Sequence, residues 1–516
     1  MRDASFKQKS TLSDDIVWDQ LNWISIQRYV EKLQQRIYRA ESLGMKRKVR
    51  ELQRLVIHSR AALLLSIRRI TQINKGKRTA GVDKFTVLTD GERVKLYRKL
   101  REHSVNCHTP KPSRRIYIKK KNGKLRPLSI PTIIDRIYQN IEKMALEPQW
   151  EFRFEPTSYG FRPKRGCHDA IERIFVSCSK GTRNWIFEGD FKGCFDNLRQ
   201  DYIIEQIKSF PGKALIEKWL KAGYIDNDVF NDSKTGSGQG SVISPLLANI
   251  ALHGMEAQLG IKYNVFVRQD GYQCANNRTR YALSKYADDF VVMCRCKKDA
   301  EAVYDLLKPY LEERGLELEP SKTRIVQITE GFDFLSFNVR IYQTTAGGKL
   351  LIKPSKEAVK KSMRQISDKV HELTGHNVGN IIKRLNPMII GKANYWSPMV
   401  SKETFSKMDS HIYKVTRRFL ERLHPRKPAK WINAKYYKPD LRGKYKNKWT
   451  LTDPVAKEQL KHMVHVPIER HIMIKHNATP YDITKTEYFK MRDKKQDGLG
   501  KKYARAVYHE SDTYSS

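Results

Sequence analysis

The sequence predicts an α+β fold, and three regions with different hydrophobic patterns lead to that prediction. Helical periodicity dominates from Gln27 to Ile73, short apolar segments alternate with turns through about residue 345, and a helical, basic pattern follows. With 516 residues the chain is long enough for roughly two to four domains with large apolar cores. We therefore expect helices at both ends and a mixed region of strands and helices between them.

The N-terminal region carries two amphipathic helical patterns between Gln27 and Ser59 and a third, more apolar one from Ser59 to Ile73. Residues 1–25 show no such pattern, and we expect them to be irregular. In the first helix an apolar stripe faces one way and basic residues decorate the other faces. The stripe consists of Val30, Leu33, Ile37 and Ala40, and the basic residues are Arg28, Lys32, Arg36 and Arg39.

Two adjacent carboxylates, Asp288 and Asp289, stand between two apolar stretches of the middle region. This pattern predicts a tight β-hairpin whose strands are buried and whose turn presents the acids. An isolated Asp-Asp pair is also typical of a solvated turn. Burying apolar flanks around two unpaired like charges is costly unless a cation neutralises them, and the hard oxygen ligands of carboxylates suit Mg²⁺.

A third carboxylate, Asp190, ends a short predicted strand that begins at Trp185. Three carboxylates from two strand ends can hold two Mg²⁺ ions roughly 4 Å apart, an arrangement suited to in-line phosphoryl transfer. One ion would activate an attacking 3′-hydroxyl, and the other would stabilise a leaving pyrophosphate.

Two further segments of the middle region have the composition of ligand-binding loops. Residues 119–128 predict a strand, an Asn-Gly turn and a return strand, so that their basic residues stand on one hairpin able to hold a triphosphate. Surface charge alone would also explain these lysines. Residues 237–250 predict a flexible glycine loop that leads into a helix, and such a loop allows the backbone to approach a ligand closely.

The third region begins, on this interpretation, at Gly347-Gly348, after which the pattern turns helical and basic. In residues 411–423 apolar and basic residues alternate with helical spacing. From about residue 424 the chain becomes rich in proline, aromatic residues and lysine, and residues 435–449 interleave Tyr, Trp and Lys. That mixture suits stacking on exposed bases together with contacts to phosphates.

The charge of the chain predicts a polyanionic partner. It contains 98 Lys and Arg against 56 Asp and Glu, a formal net charge of +42. The excess spans the whole sequence, and it predicts nucleic-acid affinity that falls steeply as the salt concentration rises. No apolar run approaches the roughly 18 residues of a spanning helix, and the N-terminus has no apolar signal core, so we expect no membrane partner and a cytoplasmic location.

The motifs together resemble the reverse transcriptases, or maturases, encoded by bacterial and organellar group II introns. The resemblance runs from about residue 20 to about residue 485, and it rests on seven stretches in the family's order. These stretches are 79–83, 126–132, 158–163, 189–197, 239–245, 286–289 and 331–335. Residues 386–396 look like the family's thumb, or X, domain, and residues 467–471 and 478–482 look like the D domain of its chloroplast-like lineage.

The resemblance implies roles for individual residues. Asp190, Asp288 and Asp289 would be the catalytic, metal-binding acids, and the carbonyl oxygen of Phe191 would be a further ligand of two Mg²⁺ ions, for which Mn²⁺ is a possible substitute. Phe195 would occupy the space of a ribose 2′-hydroxyl and so favour deoxynucleotides. The dNTP would also contact the residues Lys120, Arg126, Gln239 and Lys322.

The sequence departs from the family pattern in several places. Gly238 stands where a proline is usual, Ser129 and Ser336 replace glycines, and Lys119 replaces a proline. These changes bear on the rigidity of the pocket, on fidelity and on rate. No cysteine follows Cys296, so the paired C-x-x-C sites of an H-N-H endonuclease are missing, and we expect no DNA-cleaving domain.

The resemblance implies a right-hand polymerase with four parts. These are an RNA-binding helical extension over 1–90, fingers and palm over 91–345, a helical thumb or X domain over 346–435, and a small basic DNA-binding domain with a tail over 436–516. The protein would bind intron RNA, assist its splicing and copy it into DNA during retrohoming to a DNA target, close to the bacterial nucleoid. Two alternatives stay open: a domesticated reverse transcriptase acting in defence or DNA repair without an intron, and a splicing factor with an inactive polymerase.

Overall fold

The computed structural model describes most of the chain and confirms the α+β fold. It describes residues 17–119, 123, 125–226, 229–232, 235–236, 238–267, 273–345, 347–440 and 449–504. Of the expected site residues, Lys120 lies outside the described residues, as do 441–448 of the aromatic and basic stretch and the tail from residue 505.

Helices form both ends of the described chain and cover the sheets between them. The α-helices are α1 (Trp23–Ser42), α2 (Lys46–Ile57), α3 (Arg60–Arg68), α4 (Asp90–Arg101), α5 (Ile133–Arg153), α6 (Cys167–Cys178), α7 (Cys194–Asn197), α8 (Gln200–Gln206), α9 (Lys213–Lys221), α10 (Ser244–Ala251), α11 (Met255–Gln258), α12 (Lys297–Arg314), α13 (Lys356–Glu372), α14 (Val378–Trp396), α15 (Lys402–Leu423), α16 (Ala429–Tyr436) and α17 (Thr486–Ala504). A π-helical turn, Arg69–Ile73, extends α3.

The strands are short and belong to several small sheets. They are β1 (Ser113–Lys119), β2 (Leu125–Ile130), β3 (Trp185–Gly189), β4 (Tyr224–Asp226), β5 (Val229–Asn231), β6 (Tyr263–Val267), β7 (Gln273–Asn277), β8 (Ala282–Tyr286), β9 (Asp289–Cys294), β10 (Arg324–Gln327), β11 (Phe332–Phe334), β12 (Phe337–Thr344), β13 (Gly347–Pro354), β14 (Tyr437–Lys438) and β15 (Thr450–Leu451).

The N-terminal helices form as predicted, although the first begins earlier than expected. The expectation that residues 1–25 are irregular was wrong at its C-terminal end, because Asn22 accepts a hydrogen bond from the N–H of Ser25 and starts α1 at Trp23. The predicted apolar stripe of α1 is buried, and Gln34 beside it donates to the carbonyl of Met144 on α5 at 2.9 Å. This contact fixes the N-terminal helices to the rest of the core.

Two four-stranded sheets occupy the middle region. One has the strand order β2-β1-β4-β5, and the other, which we call the central sheet, has the order β10-β3-β9-β8. In the first sheet β1 and β2 pair antiparallel with Lys119 opposite Leu125, which confirms the two strands of the predicted hairpin. Asn122 of the expected Asn-Gly turn lies outside the described residues. Helix α12 packs on β3 and β9 of the central sheet, where Phe187 and Val292 are fully buried.

A three-stranded sheet, β11-β12-β13, shows that the helical third region does not begin at Gly347-Gly348 as expected. These glycines begin β13, which pairs with β12 until Pro354, so the chain remains extended for eight residues before the helices start at Lys356. The correction follows from the apolar residues Leu350 and Ile352, which pack against a second hydrophobic core. That core joins the 332–354 sheet to helices α13–α16 and to the C-terminal segment, whereas the first core joins α1–α5 to the middle region.

No helix in the part of the chain that the structure describes has the length and apolar character needed to cross a membrane.

Candidate active site

A two-residue turn joins β8 to β9 and presents Asp288 and Asp289 at one end of the central sheet. Tyr286 pairs with Asp289 across the turn, which confirms the predicted tight hairpin. Ala287 has a φ of +58°, in the left-handed region that two-residue hairpin turns use. Phe290 is 1 % exposed, so the strand enters the core directly behind the acids.

The segment 157–160 braces this turn along the edge of β8. The N–H of Tyr159 donates to the carbonyl of Lys285 at 2.9 Å. Gly160 approaches the turn so closely that a Cβ atom there would lie 2.3 Å from the backbone nitrogen of Ala287. Only glycine fits at this position, so the motif at residues 158–163 has a physical role in holding the two acids.

Asp190 follows β3 and lies beside the turn acids. Gly189 pairs with Phe290 of β9, and a Cβ on Gly189 would lie 2.1 Å from the phenylalanine ring. The carbonyl of Asp190 accepts a hydrogen bond from the N–H of Glu319 at 2.8 Å, which fixes the backbone after the strand. The antiparallel register of β3 and β9 therefore brings Asp190 to the same end of the sheet as the turn acids, as the sequence predicts.

The backbone of Phe191 leaves its carbonyl oxygen available for a ligand. Phe191 forms an isolated antiparallel bridge with Leu318. The two hydrogen bonds of that bridge use the carbonyl of Asp190 and the N–H of Lys192, not the groups of Phe191 itself. The phenylalanine ring stacks on Phe290 with 5.0 Å between centroids, so the residue is anchored by its side chain.

The negative charges of the three acids repel one another, and burial together with this repulsion raises the pKa values of two of them. Burial, followed by the charges of Asp288 and Asp190, raises the pKa of Asp289 to about 6, although its side chain stays exposed on one side. Burial and the charge of Asp190 also raise the pKa of Asp288, against the opposing effects of Arg126 and Lys322. Protons or cations are therefore favoured at this end of the sheet.

Lys322 already supplies one positive charge to the site. Its ammonium group donates to a carboxylate oxygen of Asp190, and this hydrogen bond raises the pKa of the lysine. The lysine side chain is 65 % exposed and that of Asp190 is 17 % exposed. The expected proximity of Lys322 to the acids is thus observed, with a direct contact that sequence spacing could not show.

The donor set fits a hard divalent cation by its chemistry. Asp288 and Asp289 carry raised pKa values, and the carbonyl of Phe191 supplies a neutral oxygen near them. As the side chains lie, no three carboxylate, imidazole or thiol groups among the described residues are arranged to bind one ion. The ion pair between Lys322 and Asp190 accounts for part of this, because it directs one carboxylate to an ammonium group.

Phe195 lines a cavity in the middle region of the chain. It lies in α7, is half-buried, and meets the ring of Phe161 edge to face with 6.4 Å between centroids. The cavity has a volume of about 360 Å³, and Phe195, Ser129 and Trp219 contribute to its lining. The ring of Phe195 can therefore limit the size of a group that enters this cavity.

Arg126 on β2 and Gln239 in the glycine loop form a hydrogen-bonded pair. The Nε of Arg126 donates to Oε1 of Gln239 at 2.9 Å, and the N–H of Ser129 donates to the carbonyl of Gln239 at 2.7 Å. These two hydrogen bonds attach the glycine loop to β2. Gly238 has a φ of +69°, which a proline ring does not allow, so the unusual glycine permits a different loop conformation.

Sequence reasoning missed Lys285, which supports the hairpin from below. Its side chain is 1 % exposed, its ammonium group donates to the carbonyl of Leu252, and it lies 3.5 Å from a carboxylate oxygen of Glu155. Burial lowers the pKa of this lysine. The available signal was a lysine inside a strand that carries no other charged residue, since such a charge must find a partner in the core.

Three family descriptions match this chain. Residues 118–339 match the reverse transcriptase (RNA-dependent DNA polymerase) family, residues 18–100 match the N-terminal domain of reverse transcriptase, and residues 359–437 match the group II intron maturase-specific domain. The three matches follow one another along the chain and include every expected site residue.

Curated relatives show the same affiliation. Protein YkfC of Escherichia coli is 37 % identical over 295 residues, which cover 52 % of this chain and 77 % of that protein. Group II intron-encoded protein LtrA of Lactococcus lactis is 31 % identical over 323 residues, 52 % of this chain and 53 % of LtrA, so the chain matches only about half the length of that relative. Maturase-like protein 1 of Euglena gracilis is 27 % identical over 71 % of this chain and 74 % of its own length.

Proposed function

The chain belongs to the family of group II intron-encoded reverse transcriptases and maturases, and from that premise we propose how its residues carry out RNA-directed DNA synthesis. The observation that carries the proposal is the meeting of Asp190 with Asp288 and Asp289 at one end of the central sheet. In the part of the chain that the structure describes, Lys322 forms an ion pair with Asp190, and the charge of Arg126 also acts on Asp288. Three clustered acids are the groups that metal-dependent nucleotidyl transfer requires.

We propose an assignment of the parts of a right-hand polymerase to the described elements. We assign the central sheet to the palm, the β2-β1-β4-β5 sheet to the fingers, and helices α13–α15 to the thumb. Residues 1–90 would be the RNA-binding extension and 436–516 the DNA-binding part. The end of β13 supports placing the start of the thumb at Ser355 instead of residue 346.

The metal would be held by the side chains of Asp190, Asp288 and Asp289 together with the carbonyl oxygen of Phe191. When bound, Mg²⁺, or Mn²⁺ in its place, supplies Lewis-acid stabilisation of the charge that develops during phosphoryl transfer. Raised pKa values at Asp288 and Asp289 support this assignment, because they indicate a site that favours added positive charge.

The remaining residues would bind and select the nucleotide. Arg126 lies close enough to lower the pKa of Asp288, so its guanidinium can neutralise a triphosphate beside the acids. Lys120 would assist it from the same hairpin. Phe195 would exclude a ribose 2′-hydroxyl, and Gln239, held by Arg126, would border the base or sugar. The primer 3′-hydroxyl then attacks the α-phosphate of the dNTP, and pyrophosphate leaves.

Intron RNA would bind the basic helices at both ends of the chain. On α1 the four basic residues Arg28, Lys32, Arg36 and Arg39 are all exposed, opposite the buried stripe. On α15 the residues Lys414, Arg418 and Arg422 are exposed in the same way. Such faces suit the phosphate backbone of a folded RNA, and holding the intron in its active fold would assist splicing and precede its copying at a DNA target. The same affinity supports a cytoplasmic location near the bacterial nucleoid.

The test of polymerase function is extension of a DNA primer on an RNA template by the full chain. We expect dNTP incorporation that requires Mg²⁺ or Mn²⁺ and that falls steeply as salt is raised. Absence of extension by the unmodified protein, under conditions where it binds the primer–template, would contradict the proposal.

The test of maturase function is sequencing of the RNA that co-purifies with the protein from its native cells. A single excised intron lariat is the expected result. A diffuse population of unrelated RNAs, with polymerase activity intact, would contradict a role in splicing and favour a domesticated reverse transcriptase.

A further inference from the structure

The segment 467–493, which we call the C-terminal strap, lies across the reverse transcriptase core. The hydroxyl of Tyr481 donates to a carboxylate oxygen of Glu147 on α5 at 2.7 Å. The guanidinium of Arg165 donates to the carbonyl of His476 at 2.8 Å and to that of Ala478 at 3.2 Å. The strap contains both stretches that the sequence assigned to a DNA-binding part, and their residues contact the core.

Asp169, the third residue of α6, is the main anchor of the strap. Its carboxylate is 2 % exposed, and one oxygen accepts from Arg492 at 2.9 Å, from the N–H of Ile474 at 2.7 Å and from His471 at 2.9 Å. The other oxygen accepts from the N–H of Gly166 at 2.9 Å and caps the helix. Burial opposes ionisation, but these donors together hold the pKa of Asp169 below its usual value.

The residues on either side of Asp169 contact two other parts of the molecule. The ring of His168 bonds to the carbonyl of Tyr395 on α14 at 2.7 Å. The carbonyl of Ala170 accepts from the hydroxyl of Ser284 on β8 at 2.9 Å, in the buried interior. Three consecutive residues of α6 therefore join the strap, the helical third region and the strand that leads into the catalytic turn.

We propose that Asp169 is a positioning residue for catalysis, through which the C-terminal strap holds α6 against β8 and sets the catalytic turn. The inference rests on the proposed polymerase function. Ser284 lies in β8, the same short strand that ends at the turn, so a shift of α6 is transmitted to Asp288 over a few residues of regular strand. Sub-ångström placement of these acids matters because a misplacement of about 1 Å can cost about a hundredfold in rate.

The experiment compares full-length Asp169→Asn and Arg492→Gln with Lys164→Ala. Lys164 pairs with Asp493 of the same strap, but both side chains are exposed, 46 % and 41 %, so this control removes a strap contact without touching Asp169. Single-turnover extension on a preformed complex with an RNA template and a DNA primer gives two quantities. The amplitude of the burst reports the active fraction, and its rate reports the step performed by each active molecule.

We expect the burst rate of both anchor variants to fall roughly tenfold or more at saturating dNTP, with a primer–template Kd within about twofold of the unmodified protein. The amplitude per folded molecule should be unchanged, and Lys164→Ala should match the unmodified protein in all three quantities. A reduced amplitude with an unchanged rate would show a merely structural role and overturn the inference. Weaker primer–template binding as the only effect would overturn it too, because the strap would then be a nucleic-acid contact.

A second variant keeps the inference testable if the anchor variants do not fold. Ser284→Ala removes only the hydroxyl that joins β8 to Ala170, and it should lower the burst rate in the same direction. An unchanged rate in Ser284→Ala would overturn the route through α6. If the unmodified protein extends no primer on RNA, the proposed function itself fails; if it extends and the variants match it, only this inference fails.

Discussion

Two groups of carboxylates in this molecule have opposite electrostatic states, one fully buried and the other partly open to solvent. Asp169, on α6, has both oxygens occupied by donors, and its pKa lies below the usual value in spite of burial. Asp288 and Asp289, in the turn of the central sheet, are partly shielded from solvent and lie near other negative charges, and both effects raise their pKa values. The residue type is the same, so the difference lies in the donors that surround it.

This difference separates architecture from function. A buried acid whose oxygens are satisfied stabilises the contact it makes, and its removal leaves the partner charge uncompensated. Acids that stay unsatisfied cost free energy in the folded protein, and this arrangement persists where a ligand relieves it. The comparison fits Asp169 as an anchor of the fold, and it supports the proposal that the turn acids bind a cation.

The largest expected effect is the loss of DNA synthesis in Asp288→Asn. We expect at least ~10³-fold slower single-turnover extension, in the range seen when one member of a catalytic unit is removed, with RNA binding retained. The matched variant Asp169→Asn should lose far less, roughly tenfold. Extension by Asp288→Asn within tenfold of the unmodified protein would break the comparison.

The next effect is on the free energy of unfolding, where Asp169→Asn should lose more than Asp288→Asn. Asp169→Asn should lower the free energy of unfolding by about 3 kcal/mol, because it leaves the buried guanidinium of Arg492 without its counter-charge. Asp288→Asn should leave the unfolding free energy unchanged or raise it, since a repelling charge disappears. Denaturant titration of both variants without added metal measures the difference, and equal losses would contradict it.

Phe195→Ala should relax sugar selectivity without the losses seen in the acid variants. Removing the ring enlarges the cavity that it lines, and we expect discrimination against ribonucleotides to fall by about 10- to 100-fold in kcat/KM. Asp169→Asn serves as the control, since the anchor has no contact with this space and should keep its selectivity. Unaltered selectivity in Phe195→Ala would show that another residue excludes the 2′-hydroxyl.

The pH dependence of stability should have opposite signs at the two sites. Asp289 has a pKa of about 6 in the folded protein against an ordinary value of 3.8, so between these values the folded state keeps a proton that the unfolded state has lost. The free energy of unfolding therefore falls as pH rises through that window, and Asp289→Asn should remove the fall. Asp169 has a lowered pKa, so its contribution is complete above 3.8 and is lost as pH falls below it.

Thermal or denaturant unfolding between pH 3 and 7, in the absence of divalent metal, distinguishes the two signs. The effect at Asp289 should be small, because its side chain is partly open to solvent. If the unfolding free energy of Asp289→Asn falls with rising pH as much as that of the unmodified protein, another group causes the fall.

The local parts of the site were predictable from the sequence. The apolar flanks of Asp288 and Asp289 force a buried hairpin with the acids at its turn, and the strand before Asp190 is equally clear. The stripe of α1 has strong helical periodicity and is buried as predicted. These features depend on residues close together in the sequence, which is where periodicity and turn chemistry carry information.

The long-range contacts could not be predicted in this way. Lys322 reaches Asp190 over 132 positions, and Arg492 reaches Asp169 over 323. The sequence around Lys322 and around Arg492 does not distinguish these two residues from the many other basic residues of the chain. The start of the helical third region was expected at Gly347-Gly348 for a related reason. A glycine pair occurs beside a hairpin turn as readily as in a linker, and here it begins a strand.

The measurement that tests the central claim most directly is the change in melting temperature on adding Mg²⁺ to the unmodified protein and to variants of the two sites. If the turn acids await a cation, Mg²⁺ should raise the melting temperature of the unmodified protein and of Asp169→Asn, because a ligand that binds only the folded state stabilises it. It should have no such effect on Asp288→Asn or Asp289→Asn. An equal Mg²⁺ effect in all four proteins would contradict the assignment of these acids as the metal site.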